Sequence, residues 1–462
     1  MQTFKKFLLG FLLTAMIFSM MACGQNKAVN DNSSANNEKA AAQTDEAKNK
    51  DNTTSEDTKP VELKFAMIAF ANEIPGWTAM IDAANKKLED QKIKISIQKI
   101  PAQNWPEYYQ KVITQMAAGE GADIGRIAES FMPQVIQKSQ VVELTEYLKD
   151  INMAEYFDAT FKNAGYQDGK YYGVPSGVYY MVMYYNKDMF DAANLPYPSS
   201  DWNNAISFEQ VREYAKKLTK GEGANKTFGF YAGPYMAYIG MYSVSLGGKN
   251  VFNDDGTCAL GSPESKQVYK WFDDMLRVDK TMPRPTDTKV MSAMDMFTSG
   301  RIAMIVDGTW SHSAIKDIKN FRVGVAAVPA GNGKAYSSMF VDNFVIFKGT
   351  KHEEKAWEAI KAVISKEGFD ALAPTGVGGL PIVRSTMENL KDEMIGTQFE
   401  ESDKRAFIDG LDNTLAVPYN ENYQEIDQMI NAVMDEWLMG KVTSDEFADK
   451  VVGLVNEGMK AK

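Results

Sequence analysis

The chain has 462 residues, a net charge of -11, 44% apolar and 24% charged side chains, two Cys and two His. An acidic chain lacks the Lys and Arg excess that neutralises phosphates, so nucleic acid is excluded as a partner. Cys23 and Cys258 cannot form a disulfide framework, and His312 and His352 are too few for a His-rich metal site, so both His are expected at the surface or at helix starts.

Lys5 and Lys6 precede an uncharged apolar run from Phe7 to Ala22, which is the pattern of a signal peptide over residues 1–22. Loss of these two lysines with the leader would take the charge from -11 to -13. A plain secretory signal cleaved near Ala22 is the simpler alternative, and an uncleaved anchor would be marginal against the ~20 residues a span needs. From Cys23 to about Pro60 the chain is rich in Asn, Ala, Lys, Glu, Asp and Thr and nearly free of large apolar residues. Such a segment cannot bury enough surface to offset chain entropy, so a tether is expected.

The body beyond residue 60 is too long for one ordinary core, which points to two lobes. Residues 61–70 alternate and then become fully apolar, as a strand entering a buried sheet does. Pro75 suits the first turn of a helix whose inner face is Trp77, Met80, Ile81, Ala84 and Leu88. Ile93, Ile95 and Ile97 give a second strand, and Pro106 opens a helix that Gly119 stops. Ala122 to Ala128 reads as a third strand. This β-α-β-α-β order predicts a parallel sheet with helices on both faces, and ligands of such sheets sit at the strands' carboxyl ends. Those ends are Phe70–Trp77, Ile100–Trp105 and Ala128–Phe131.

Tyr172 to Asp188 is long, extended and apolar, and is expected to cross into the second lobe. Helices are expected near 207–218, 233–246, 263–279 and 290–299, and a buried strand over 301–306. Phe340 to Phe347 reads as a second crossing, followed by a helix over 353–364 and a Gly-rich loop over 376–381. The tail, 386–462, is expected to be helical, with Ile426, Met429, Ile430, Val433 and Trp437 at core spacing.

Several stretches then carry a resemblance. Gly121-Ala-Asp-Ile124, Gly173-Val-Pro175 followed by Tyr184-Tyr-Asn-Lys-Asp188, and Phe297-Thr-Ser-Gly-Arg-Ile-Ala-Met304 ending in Asp307-Gly-Thr-Trp310 occur in order. Val323-Gly, Val328-Pro329, Ala356-Trp357 and Gly379-Leu-Pro381 follow. Together they resemble the extracellular solute-binding proteins of family 1, the maltose-binding type, over nearly all of 61–455. Met20-Met-Ala-Cys-Gly24 resembles a lipobox, with Met20 where Leu is usual. The resemblance implies a lipid on Cys23, residence on the outer face of the cell membrane of a Gram-positive cell, and a monomer that serves the permease subunits of an ABC importer.

The implied fold is α/β, a two-lobed periplasmic-binding-protein-like body with hinge strands between the lobes. Lobe 1 is expected over 61–175 plus 344–385, and lobe 2 over 176–343 plus 386–462. The expected ligand is a sugar or short oligosaccharide, with no cofactor. The resemblance carries Trp310 and Tyr235 over as sugar-stacking rings, with Gly233 where maltose binders have a carboxylate. Tyr179 stands where they place a hinge Glu. Ile127, and Ser130 with Phe131, replace a Trp and an Asp-Arg pair, and Tyr419 and Tyr423 lie near a further aromatic position.

Sugar rings offer an apolar face and a rim of hydroxyls, so flat aromatics beside carboxylates and amides are the expected site chemistry. On that basis Trp77, Glu73, Asn72 and Glu129 join the candidates from the first-lobe loops, and Asp342 and Asn343 from the second crossing. Trp105 and Trp202, each beside an Asn, are weaker candidates. Trp271, Trp357 and Trp437 fit helical core patterns. The same fold with a polyamine or other small solute is the main alternative. A glycoside hydrolase would need two carboxyls within ~5–10 Å of each other. The sequence has no Gly-x-Ser-x-Gly, His-Glu-x-x-His or P-loop motif.

Overall fold

A computed structural model describes residues 60–157, 160–161 and 165–460. The leader, Cys23 and the tether lie outside the described residues. The body, Lys59–Lys462, forms one compact unit.

Strand β1 (Val61–Ile68) pairs in parallel with β2 (Ile93–Ile100), from Val61 opposite Ile93 to Ile68 opposite Ile100. On its other edge it pairs in parallel with β3 (Ile124–Ile127). Side chains alternate across a strand. Leu63, Phe65 and Met67 therefore enter one core with Trp77, Met80, Ile81 and Leu88, while Ala66 and Ile68 enter another with Tyr108 and Val112. The helices Ile74–Leu88 and Trp105–Ala117 begin with Pro75 and Pro106 in their first turns, as the sequence predicts.

The sheet is not wholly parallel, which corrects the expectation from the β-α-β-α-β order. After a short hairpin, β4 (Tyr166–Gln167) and β5 (Lys170–Tyr171), come β6 (Val174–Pro175) and, far along the chain, β12 (Asn343–Ile346). The sheet order is β2-β1-β3-β12-β6, with β12 antiparallel to both neighbours. β6 thus runs parallel to β1, β2 and β3, and β12 alone runs against them; β6 leads out to the second lobe and β12 returns from it.

The second sheet is built on β7 (Tyr179–Asn186), whose eight residues are all buried. It runs in the order β13-β11-β7-β9-β8, with β10 also on β7. Those strands are β8 (Tyr231–Ala232), β9 (Met304–Gly308), β10 (Val323–Ala326), β11 (Ser337–Phe340) and β13 (Thr414–Ala416). The expected strand over 301–306 thus begins and ends later. The tail helices are interrupted by β13, and Met429 and Val433 are only partly buried. Ile426, Ile430, Met434 and Trp437 of helix Tyr423–Leu438 pack on the second core with Val451 and Val455 of helix Ser444–Gly458.

The sheets are joined by neighbouring passages of chain. Ser176–Val178 leads from β6 to β7, and Val341–Asp342 leads from β11 to β12, with Ser176 N donating to Asp342 O at 2.8 Å. Val178 and Leu380 exchange backbone hydrogen bonds where the chain passes again. A Cβ on Gly177 would stand 2.0 Å from Gly378 O, so backbone meets backbone here and only glycine fits.

Candidate functional site

Between the lobes lies a cleft of about 470 Å3. Its first-lobe wall comes from the three strand ends that the sequence singles out: Phe70 and Glu73 after β1, Trp105 after β2, and Ala128 to Phe131 after β3.

The centre of this wall is Arg126, on β3, 2% exposed. Its Nη1 donates to Glu73 Oε2 at 3.0 Å, and its Nη2 donates to Asp342 Oδ2 at 2.5 Å and to Tyr179 OH at 2.7 Å. The guanidinium lies 4.5 Å from the Trp77 ring centre and 5.2 Å from that of Trp105. Burying a guanidinium is costly unless carboxylates and rings surround it, and these neighbours meet that condition. They come from both lobes and from the Val341–Asp342 passage, so the cation ties the hinge to the first lobe.

Glu129 is 8% exposed, accepting from Val341 N at 3.2 Å and from Tyr419 OH at 2.9 Å. Burial, and next the charge of Asp342, push its carboxyl up to about 8. Burial raises Asp342 as well, while Arg126 opposes the shift. Glu129 therefore holds a proton at neutral pH.

The second-lobe wall is aromatic. Trp310 and Tyr235 are 37% and 49% exposed, unusually open for rings of this size. Trp310 packs edge-on to Phe340 at 5.5 Å and lies 6.4 Å from Tyr179. Tyr235 packs edge-on to Tyr238 at 5.4 Å. Each ring folds back over a glycine two residues before it. A Cβ would stand 2.3 Å from the Trp310 ring at Gly308 and 2.4 Å from the Tyr235 ring at Gly233. Glycine at 233 is thus required by the ring, which accounts for the missing carboxylate there. Below Trp310, Asp307 accepts from Gly308 N at 2.6 Å and Ser311 Oγ at 3.3 Å, and burial raises its carboxyl to about 6. Tyr419, Tyr423 and Asp427 close one end of the cleft, and Tyr419 meets Tyr423 edge-on at 4.6 Å.

Seven of the ten sequence candidates line this cleft: Trp310, Tyr235, Tyr179, Glu73, Glu129, Asp342 and Tyr423. Three do not. Trp77 is fully buried in the first-lobe core, where its Nε1 donates to Glu73 Oε2 at 3.0 Å, so it supports the wall from behind. Asn343 is fully buried, its Nδ2 donating to Val341 O at 3.0 Å. Asn72 is exposed away from the cleft lining. Trp105 lines the cleft, whereas Trp202 is buried and donates to Ala406 O at 3.0 Å. His312 starts a helix but is buried, so it is not a surface residue; its ring is pushed down to about 4 by burial. Sequence reasoning missed Arg126, Tyr238, Phe340 and Asp427. A lone Arg inside a fully buried strand was the available signal for the first.

Among the described residues, no His, Cys, Asp and Glu side chains form a group of three able to hold a metal ion, and no helix is long and apolar enough to cross a membrane. Cys258 is a buried free thiol, raised to about 11 by burial.

Comparisons with known proteins give a consistent picture. A maltooligosaccharide ABC transporter solute-binding lipoprotein of Streptococcus pneumoniae is 26% identical over 306 residues, 64% of this chain and 67% of that one. A Brucella abortus protein named only as a binding protein is 26% identical over 363 residues, 77% of this chain and 84% of that one. An ABC substrate-binding protein from Listeria monocytogenes in complex with cycloalternan superposes with a TM-score of 0.75 at 23% identity, covering 87% of this chain and all of the other. Residues 79–395 match the family model described as bacterial extracellular solute-binding protein, and the chain belongs to that family.

Proposed function

We propose that the protein captures a sugar or short oligosaccharide between its lobes and delivers it to the permease subunits of an ABC importer, anchored outside the membrane by lipid on Cys23. One observation carries the ligand class: exposed rings on one wall, Trp310 and Tyr235, face hydrogen-bonding groups on the other, Glu73, Glu129 and Asp342. Stacking on a sugar's apolar face and hydrogen bonds to its hydroxyl rim need those two kinds of surface opposite each other. Relatives named for maltooligosaccharide and arabinooligosaccharide binding support the class. The lobes, 61–175 plus 344–385 and 176–343 plus 386–462, close about the passages 176–178 and 341–342 when ligand favours the closed form.

A polyamine is the second reading, favoured by four carboxyl groups in the cleft against one guanidinium. Arg126 offsets one charge of the Glu73 and Asp342 pair and Glu129 is held protonated, so the cleft carries less negative charge than its four carboxyl groups suggest. Calorimetric titration of neutral oligosaccharides and of spermidine into the purified body separates the two. Heat from spermidine alone overturns the sugar reading, and heat from sugars alone removes the polyamine. Sugar products released during the same incubation would mark a hydrolase instead. Cys23→Ser should free the protein from the membrane fraction, and retention of that variant there would exclude the lipid anchor.

A further inference from the structure

Tyr235, which lines the cleft, also lines a second hollow of about 310 Å3 on the second lobe, whose lining includes Met282 and Leu438. Those two residues in turn line a larger groove of about 750 Å3. One helix, Tyr423–Leu438, follows the whole route. It gives Tyr423 and Asp427 to the cleft, Asn431 and Asp435 to the hollow, and Leu438 to both hollow and groove. At ~1.5 Å per residue, that helix face extends for about 22 Å.

The far groove differs in charge from the rest of this acidic protein. Lys226, Lys280 and Arg284 stand around it, and Lys226 is lowered by burial, with Asp287 opposing the shift and Arg284 and Lys280 adding to it. Arg284 reaches Asp287 at 3.6 Å, and Arg277 is occupied by Asp273 and Trp437 O. Among the described residues, Lys226 and Lys280 have no carboxylate at ion-pair distance, and the Lys226 ammonium donates to Lys280 O at 2.8 Å. Asp287 is the one carboxylate in the groove lining and is shared with Arg284, so Lys226 and Lys280 leave net positive charge beside an open groove, as a site for an anion needs.

We propose that cleft, hollow and groove form one extended binding track, and that its ligand is an oligosaccharide bearing a carboxylate or sulfate at the end distant from Trp310. This rests on the sugar reading above. Neutral rings occupy the cleft and cross Tyr235, and the anionic group docks among Lys226, Lys280 and Arg284. The test is an array of neutral and uronate- or sulfate-bearing oligosaccharides of graded length, probed with the full body and with K226Q/K280Q/R284Q. These side chains lie at the surface away from the cleft, and a melting curve checks that the variant folds. The expected result is strongest binding to longer, terminally anionic glycans. The triple variant should weaken it about tenfold or more, because charge-assisted hydrogen bonds to the anion are lost, and salt should weaken it too. Binding of neutral glycans alone, or of anionic ones equally by both proteins, overturns the track while leaving the sugar reading intact. Binding of no glycan overturns both.

Discussion

On the first lobe's side of the cleft, polar groups are buried and committed to one another: Arg126 serves Glu73, Asp342 and Tyr179, and Glu129 holds Tyr419 and Val341 N. On the second lobe's side, Trp310 and Tyr235 stand open and rest on glycines. The polar wall is expensive to assemble and gains from being fixed before a ligand arrives. The aromatic wall costs little to hold open and offers area that is desolvated only on binding. Stability should therefore depend on the first wall and affinity on the second, and each substitution below is placed to break or sharpen that division.

The largest effect is expected at Arg126. Arg126→Met leaves the buried Asp342 and the half-buried Glu73 uncompensated, and breaking a buried pair costs ~3–5 kcal/mol. Chemical denaturation should show a loss of that order, and a loss under ~1 kcal/mol would mean that the wall is held by its packing instead. Next comes Trp310→Ala, where truncating an anchoring ring costs ~2 kcal/mol of binding, roughly 30-fold in affinity. Its unfolding free energy should change by less than the ~3–5 kcal/mol of a core Trp. A much less stable variant that still binds normally would place Trp310 with the core.

A third expectation concerns pH. The unfolded Glu129 titrates near 4.5 and the folded one near 8, so between these values the folded state binds the extra proton. Its contribution to stability is full below about 4.5 and is lost as pH rises to about 8. The slope can reach ~1.4 kcal/mol per pH unit. Subtracting the profile of Glu129→Gln from that of the native protein should reveal this slope, and identical profiles would assign the proton elsewhere. The smallest effect is at Tyr235→Phe. The ring stays, so affinity should fall by less than about threefold, whereas a hydroxyl bonded to ligand contributes ~0.5–1.5 kcal/mol. A loss matching that of Tyr235→Ala would turn the stacking ring into a hydrogen-bonding one.

Much of the fold could be read from local pattern. The inner face of helix Ile74–Leu88 and the alternation of β1 are one-dimensional signals, and every residue expected on that helix face is buried. The three strand ends predicted to face ligand do line the cleft, since topology alone places them there. Arg126 could not be read in this way, because its carboxylates lie 53 and 216 residues away in the chain. Trp77 shows the opposite error. It satisfies the helical core period and the strand-end rule together, and packing decided for the core. The antiparallel β12 was missed because a returning strand of four residues looks the same in sequence whichever way it docks.

That strand has a consequence for the order in which the protein can fold. β12 sits between β3 and β6, so the first sheet stays split until residue 346 has been made. A nascent chain shorter than this exposes the edges of β3 and β6 and lacks Asp342 beside Arg126. Most of the polypeptide must therefore leave the ribosome before even its N-terminal half can become stable.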